Sequence, residues 1–519
     1  MEGERPFYIT TPIYYVNDRP HIGHAYTTLA CDVLARFKRL DGFDVKFLTG
    51  TDEHGQKVEK SARVSGLAPQ AFTDQVSQNF QELARLMTFS NDDFIRTTEP
   101  RHVRSCQALW QELVRRDQIY LDRYAGWYSV RDEAFWSEDE LTHEPDGTRR
   151  APTGATVEWV EEPSYFFRLS HWQEPLLQLY DSHPDFIAPD SRRNEVVSFV
   201  RMGLTDLSVS RTTFSWGVPV PGDAGHVMYV WLDALTNYIT AAGYPETGDA
   251  FARYWPADLH MVGKDIVRFH AVYWPAFLIA AGLAPPKRVF AHGWWTNEGQ
   301  KISKSFGNVI DPVALVERYG LDPVRYFLLR EVPFGSDGDF SHRAIVSRMN
   351  GELANELGNL AQRVLSLIER YCAAKVPEPG PLTAEDEKLL VAASGLLEQV
   401  LRPAMDRQAF HEALEAIWSV VRSGNGYIDR QAPWILRKTD PARMMTVLYV
   451  LAETLRHLGL MMLPFVPQSA GRLLDQLAVP AEARMFAFVG AGGALRVGTP
   501  LPAPQGIFPR LVMPTERDP

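Results

Sequence analysis

Hydrophobic positions along the first part of the chain change period twice. Phe7-Tyr8-Ile9-Thr10-Thr11 is a short β-favouring run that ends at a Pro-containing turn. Beyond it Ile22, Ala25, Leu29, Val33, Phe37 and Leu40 recur at helical spacing, which predicts a helix starting near Pro20, with Asp18 as its candidate cap, and ending at Asp41-Gly42. Val45-Lys46-Phe47-Leu48-Thr49 then returns to strand character. Strand, helix, strand in so short a stretch predicts a parallel βαβ unit, with ligands expected beyond the strand ends. From about 116 to 228 helical periodicity fades, and aromatic and acidic residues alternate with turn signals such as Pro145-Asp146-Gly147. This predicts an inserted, partly β module. The βα pattern is expected to return at Leu259-His260-Met261-Val262, with a helix from Ile266 and a strand at Arg288-Val289-Phe290-Ala291-His292. From about 345 to 477 the pattern is helical, broken by the Pro- and Gly-rich linker 376–381. Residues 481–519 predict an extended tail.

At 519 residues the chain has room for three or four domains. Its 45% hydrophobic and 23% charged residues exclude a disordered, collagen-like or disulfide-stapled chain. The net charge of −11 means that any nucleic-acid partner must meet a local site rather than bulk charge. Residues 351–519 carry 17 basic and 18 acidic groups, so the acidity is concentrated in the first 350 and the helical module is the less repulsive end for a polyanion. The three cysteines, Cys31, Cys106 and Cys372, lie far apart and suit a reducing compartment. The acidic N-terminus lacks the apolar core of a signal or transit peptide, and a cytoplasmic location is expected. Phe269 to Pro286 contains no Asp, Glu, Lys or Arg, but its prolines and alanines favour a buried core helix over a membrane span.

Candidate chemistry gathers at two loops. His21 and His24 stand three apart at a helix start, near the positive end of the dipole, with Gly23 between them. Such donors suit a triphosphate whose charge grows during displacement at the α-phosphorus. A capping or core role fits the same pair equally well. Lys301 and Lys304, in Lys301-Ile302-Ser303-Lys304-Ser305, can be delivered together to a mobile triphosphate. A Lys/Ser loop is more often merely solvated. Ile266, His270 and Trp274 are spaced i, i+4, i+8, and Trp231, Ala234 and Tyr238 form a similar stripe. An apolar, aromatic-lined pocket with a carboxylate would take a flexible thioether and its ammonium group, although a core stripe explains the spacing as simply. Gly263-Lys264-Asp265 ends a predicted strand, the position of a nucleotide contact in a parallel sheet, although as a bare tripeptide it carries no signal; His292 and Trp294, just before the lysine loop, are weaker candidates for an adenosine.

Taken together, residues 21–24 and 301–305 resemble the "HIGH" and "KMSKS" signatures of the class I aminoacyl-tRNA synthetases, Ile302 replacing Met. The resemblance narrows, over nearly the whole chain, to the methionyl-tRNA synthetase family. It is carried by Thr10-Thr11-Pro12-Ile13-Tyr14-Tyr15-Val16-Asn17, Thr49-Gly50-Thr51-Asp52-Glu53-His54-Gly55, Val230-Trp231-Leu232-Asp233-Ala234, the run Gly263 to His270, and Gln431-Ala432-Pro433-Trp434. The resemblance implies an α/β Rossmann-like parallel-sheet catalytic domain with an inserted partly β module, followed by an α-helical anticodon-binding domain. Expected divisions are 1–115 and 229–344 for the two catalytic halves, the latter with the stem-contact region. The connective module takes 116–228, the anticodon domain 345–480 and the tail 481–519.

The implied activity is formation of methionyl-adenylate from L-methionine and ATP, with Mg²⁺ on the phosphates, then transfer to tRNA(Met), initiator and elongator. His21, His24, Lys301 and Lys304 would be catalytic, and His21, Gly23, His24, Gly263, Lys264, Asp265, His292 and Lys304 would meet ATP. Asp52 would hold the methionine ammonium, while Ile13, Tyr15, Trp231, Ala234, Leu235, Tyr238, Ile266, His270 and Trp274 shape the pocket. Asn359, Arg363 and Trp434 would read the anticodon by base-edge hydrogen bonds and stacking. No membrane partner and a monomeric chain are expected. Many relatives build a zinc knuckle from Cys-x-x-Cys pairs, but here Ser129 and Asp132 stand in the first pair's place. No cysteine lies between Cys106 and Cys372, so no zinc is expected. Three rival readings are a synthetase for Ile, Val or Leu, an inactive tRNA-binding paralogue, and a small nucleotidylyltransferase. The first carries a far larger editing insertion, the second would not need the intact signature residues, and the third leaves the helical module without a purpose.

Overall fold

The computed structural model describes residues 5–16, 19–132, 134–302 and 307–512. The chain forms two compact units, one from residues 6–20 and 45–292, the other from residues 21–44 and 293 onward.

The first unit is built on a seven-stranded sheet whose ladders are parallel. Across it run Ile187–Ala188, Val289–His292, Leu259–Gly263, Pro6–Thr10 and Asp44–Asp52. The last of these also pairs with Tyr14–Tyr15 and with Asp93–Arg96. Pro6–Thr10 is the first strand in the chain and lies between strands reached by connections in opposite directions. The strand ends beside it are therefore the topological switch point where α/β sheets bind ligands. Gly50 allows this edge to form, because a Cβ there would lie 2.0 Å from the carbonyl oxygen of Ile95 on the paired strand.

The βα pattern returns earlier than the expected Leu259. Helices Gln173–Ser182 and Asp190–Arg201 flank Ile187–Ala188, which pairs with Val289 and Phe290 in the main sheet. A two-residue buried strand is too short to show a period, so the hydrophobic pattern hides it. The β part of the insertion is a long antiparallel ladder of Ile119–Ser129 against Glu158–Phe167, edged by Ala134–Trp136 and Leu207–Ser208. The uncharged stretch from Phe269 is helical and buried, passing through a π turn at Phe269–Tyr273 into the helix Trp274–Ala280. Among the described residues no helix is long and apolar enough to cross a membrane.

The second unit holds the long helix Ile22–Leu40 and a three-stranded sheet of Gln300–Lys301, Trp295–Asn297 and Gly338–Phe340. Its helical part includes Leu321–Arg330, Asn359–Tyr371, Phe410–Gln431, Pro433–Thr439 and Pro441–Met462. Fully buried Arg325 ties three parts together. Its Nη2 donates to Asp32 at 2.7 Å and to the Pro464 carbonyl at 3.0 Å, and its Nε donates to the Phe465 carbonyl at 3.0 Å. Arg402 pairs with Asp41, and Lys38 with Asp406, so charged residues at the C-terminal end of Ile22–Leu40 are bound to the helical part as well. The tail packs as irregular chain, with Phe486 against Phe37 and the Leu495 amide donating to Glu453.

Candidate active site

The helix predicted from Pro20 begins at Ile22, and its cap is His21; Asp18 lies outside the described residues. His21 has extended backbone, and its Nδ1 accepts the Gly23 amide at 3.1 Å. His24 Nδ1 in turn accepts the His21 amide at 3.0 Å, closing a capping box made of two histidines. The rings lie 3.9 Å apart between centroids. Because both Nδ1 atoms accept, each neutral ring carries its proton on Nε2, the nitrogen on the far side. Gly23 is required by the same arrangement, since a Cβ would lie 2.9 Å from His21 Cε1. Capping thus sets the tautomer of both rings, with the Nε2 protons at a positive helix end.

The chain beyond the second signature is bonded to the first. The Ile22 amide donates to the Ile310 carbonyl at 3.1 Å. Lys301 ends a strand opposite Thr296, with its Nζ 5.7 Å from the Trp294 ring centroid. Asn308 closes the loop, its amide donating to the Lys301 carbonyl at 3.1 Å while its own carbonyl accepts Asn297 Nδ2. Ser303, Lys304 and Ser305 lie outside the described residues.

The pocket residues gather in the other unit. Leu235, Tyr238 and Trp274 belong to one buried cluster, with Ile13, Tyr15, Trp231 and Ile266 packed against it; Ala234 and His270 are buried too. His270 Nδ1 donates to the Ile266 carbonyl at 2.9 Å, which leaves Nε2 to accept the Tyr238 hydroxyl at 2.7 Å. Burial pushes the His270 pKa down to about 4, so the ring is neutral at physiological pH. Trp231 does more than line this space, since it stacks on Phe269 at 3.7 Å and 7°. The π turn supports the arrangement: it widens the helix where His270 and Phe269 emerge, and such turns recur at functional sites.

Asp52 stands at the C-terminal end of its strand, in register with Tyr15. The next residue, Glu53, is locked by Arg96 Nε at 2.7 Å, Arg96 Nη2 at 2.9 Å and Thr98 Oγ1 at 2.6 Å, and its amide donates to Thr97 Oγ1. Gly263 and His292 face each other on neighbouring strands at the same end of the sheet, the predicted nucleotide edge. A Cβ on Gly263 would meet Asp265 Oδ1 at 2.5 Å, so a larger residue there would make the Asp265 side chain shift. The signature residues thus belong to one unit, and the pocket, Gly263–Asp265 and His292 to the other.

Several participants escape a sequence reading. His260, in the middle of an apolar strand, stacks under Tyr238 at 4.1 Å, meets Thr10 Oγ1 at 2.8 Å and accepts Trp274 Nε1 at 3.2 Å. Tyr8 donates its hydroxyl to the Tyr238 carbonyl. A polar residue inside an apolar strand was the one signal for His260; for Tyr8 there was none.

At the place of the knuckle, Ser129 Oγ donates to Asp132 Oδ2 at 3.0 Å and accepts the Asp132 amide at 3.1 Å, and Thr153 donates to the same carboxylate. These hydrogen-bonded oxygens, with no thiolate within the insertion, do not fit a structural zinc. Trp127 and Trp136 are paired in register, and Trp127 also meets Trp159. In the helical part Arg363 is salt-bridged to Asp429 at 2.6 Å, and its guanidinium lies 5.4 Å from the Trp434 ring centroid. Trp434 follows Pro433 at a helix start and is 40% exposed, and Asn359 is exposed on the helix that carries Arg363.

A Rossmann-like sheet with histidine and lysine signatures, followed by a helical domain, defines a class I aminoacyl-tRNA synthetase. The family described as "tRNA synthetases class I (M)" matches residues 7–365, and that described as "Anticodon binding domain of methionyl tRNA ligase" matches residues 376–517. The chain belongs to the methionyl-tRNA synthetase family. It is 60% identical over 512 residues to the Methionine--tRNA ligase of Brucella suis biovar 1, with 99% of both chains covered. It is 56% identical over 507 residues to that of Rickettsia conorii, covering 97% of this chain and 99% of the relative. A structure of Mycobacterium tuberculosis methionyl-tRNA synthetase in complex with methionyl-adenylate superposes with a TM-score of 0.95 at 54% identity, covering 98% of this chain and 100% of that one.

Proposed function

We propose that the chain joins L-methionine to ATP as methionyl-adenylate, releasing pyrophosphate, and then esterifies the 3′ end of initiator and elongator tRNA(Met). The observation that carries this reading is the aromatic cluster of Trp231, Tyr238, His270 and Trp274, in which burial holds His270 neutral. A neutral ring tolerates a thioether beside it, and Asp52 supplies the opposite charge for the ammonium group. The methionine carboxylate oxygen attacks the α-phosphorus as the bond to the bridging oxygen of pyrophosphate breaks. The tRNA hydroxyl then attacks the methionyl carbonyl and AMP leaves. Neither step needs a covalent nucleophile on the protein; positioning and charge stabilisation suffice.

In this reading His21 and His24 donate through Nε2 to the phosphates, with Lys301 and Lys304 on the departing pyrophosphate. Gly263, Lys264, Asp265 and His292 meet the nucleotide. The donor set is imidazole and ammonium, which suits phosphate oxygens, so Mg²⁺ would enter on the triphosphate. Asn359, Arg363 and Trp434 read the anticodon, and 116–228 acts as the connective module. The enzyme works as a zinc-free monomer in the cytoplasm. The test is amino-acid-dependent ATP–pyrophosphate exchange with all twenty amino acids: methionine should far exceed every other, and best activity with isoleucine or valine would overturn the assignment.

A further inference from the structure

A cluster of titratable side chains that the chemistry above does not use lies behind the pocket. Asp233 is fully buried on the helix Val230–Ala242, which also carries Trp231, Ala234, Leu235 and Tyr238. Its Oδ2 accepts from His54 Nδ1 at 2.6 Å and its Oδ1 from His102 Nε2 at 2.7 Å. His54 follows Asp52 by two residues, and His102 comes from the helix Pro100–Arg115. The other nitrogen of His102 returns to Thr240 on the Asp233 helix at 3.3 Å. Both imidazoles must donate, because a carboxylate offers only acceptors. Burial alone would raise the Asp233 carboxyl, but the two histidines reverse this and hold it well below the usual carboxylate range.

We propose that Asp233 is a positioning residue for methionine, one that pins the chain beyond Asp52 to the helix bearing Trp231, Ala234, Leu235 and Tyr238. The proposal rests on the pocket reading above. In that reading the ammonium and thioether ends of the ligand would be met from two separate elements, Asp44–Asp52 and Val230–Ala242. Leu48 of that strand and Leu232 and Leu235 of the helix share one buried cluster, and Asp233 adds a polar tie to the residue two beyond the strand through one hydrogen bond. Loss of the bond lets the two ends of the pocket separate, and a small misplacement of this kind weakens binding before it changes chemistry.

The same cluster could be mistaken for a metal site, since His102, Cys106 and Asp233 bring their donor atoms within 4.8 Å of one another. Its spacing argues otherwise. Nitrogen and oxygen at 2.7 Å share a proton, and burial pushes the Cys106 thiol up, so no thiolate is available to a metal.

The test compares Asp233→Asn with Asp52→Asn in the full-length enzyme, reading the methionine dissociation constant by tryptophan fluorescence and the exchange kinetics. In Asp233→Asn one acceptor oxygen becomes an NH₂ donor, so both imidazoles can no longer donate to this side chain. The methionine dissociation constant and KM should rise by about tenfold or more, with kcat within about threefold and the KM for ATP unchanged. His54→Ala should behave likewise, and His54→Gln, which keeps an N–H donor, should recover much of the loss. If Asp233→Asn fails to fold, the His54 pair carries the test alone. Loss confined to active fraction or kcat, with methionine binding intact, overturns the proposal while Asp52→Asn still weakens methionine. If Asp52→Asn leaves methionine binding unchanged, the pocket reading itself falls, and the proposal with it. Stoichiometric metal that disappears in His102→Gln would also overturn it.

Discussion

His270 makes the pocket acid-sensitive by a predictable amount. In the unfolded chain its imidazole titrates near 6.5, and in the folded chain burial lowers it to about 4. Between these values the unfolded state takes up a proton that the folded state refuses, so stability falls as the pH drops from 6.5 toward 4 and then levels off. The difference of 6.5 minus 4, at 1.36 kcal/mol per unit, is about 3 kcal/mol once the pH is below both values. His457, lowered to about 4 by burial, and His260, His342 and His411, each lowered by burial, act in the same direction, so the slope of the intact enzyme contains them as well. His270→Gln isolates one of them. Glutamine can donate to the Ile266 carbonyl and accept from Tyr238, yet it does not titrate. Urea denaturation followed by tryptophan fluorescence, repeated across this pH range, should give the variant a slope shallower by about 1 kcal/mol per pH unit. Its lower stability at neutral pH does not affect this difference. Parallel pH dependences in the two proteins would refute the assignment of a buried, neutral His270.

Trp434→Ala should weaken tRNA recognition by about 1–3 kcal/mol, the worth of one stacked base, and leave ATP–pyrophosphate exchange nearly unchanged. Equal loss in aminoacylation and exchange would make Trp434 a support of the fold, and no loss in either would place anticodon reading elsewhere. Chelation of divalent metals followed by excess Mg²⁺ should restore full activity, because Ser129, Asp132 and Thr153 close the knuckle by hydrogen bonds. Stoichiometric zinc in untagged protein, with activity that excess Mg²⁺ cannot recover, would contradict that.

The sequence and the structure contributed different things. The amphipathic period from Ile22 to Leu40, the strand at Val45 and the uncharged run from Phe269 specify their elements locally, because each buries one face or all of itself over enough residues to leave a pattern. The signatures at 21–24 and 301–305 and the pocket stripes stand out in the sequence for a similar reason: their spacings are short. Tertiary structure alone decided what stands next to what. Ile187–Ala188 takes its place in the sheet through register with Val289 and Phe290, which two residues cannot announce. That His21 caps the helix and so sets its own tautomer depends on the ring folding over Gly23. The neutrality of His270 follows from burial, and its ring faces Tyr238, 32 positions away in the chain. Asp233, His54 and His102 meet across separations of 179 and 131 residues. Periodicity records which face a residue shows to its own element. Charge state, tautomer and clamp geometry are set by neighbours from distant elements, and a linear pattern holds no record of those.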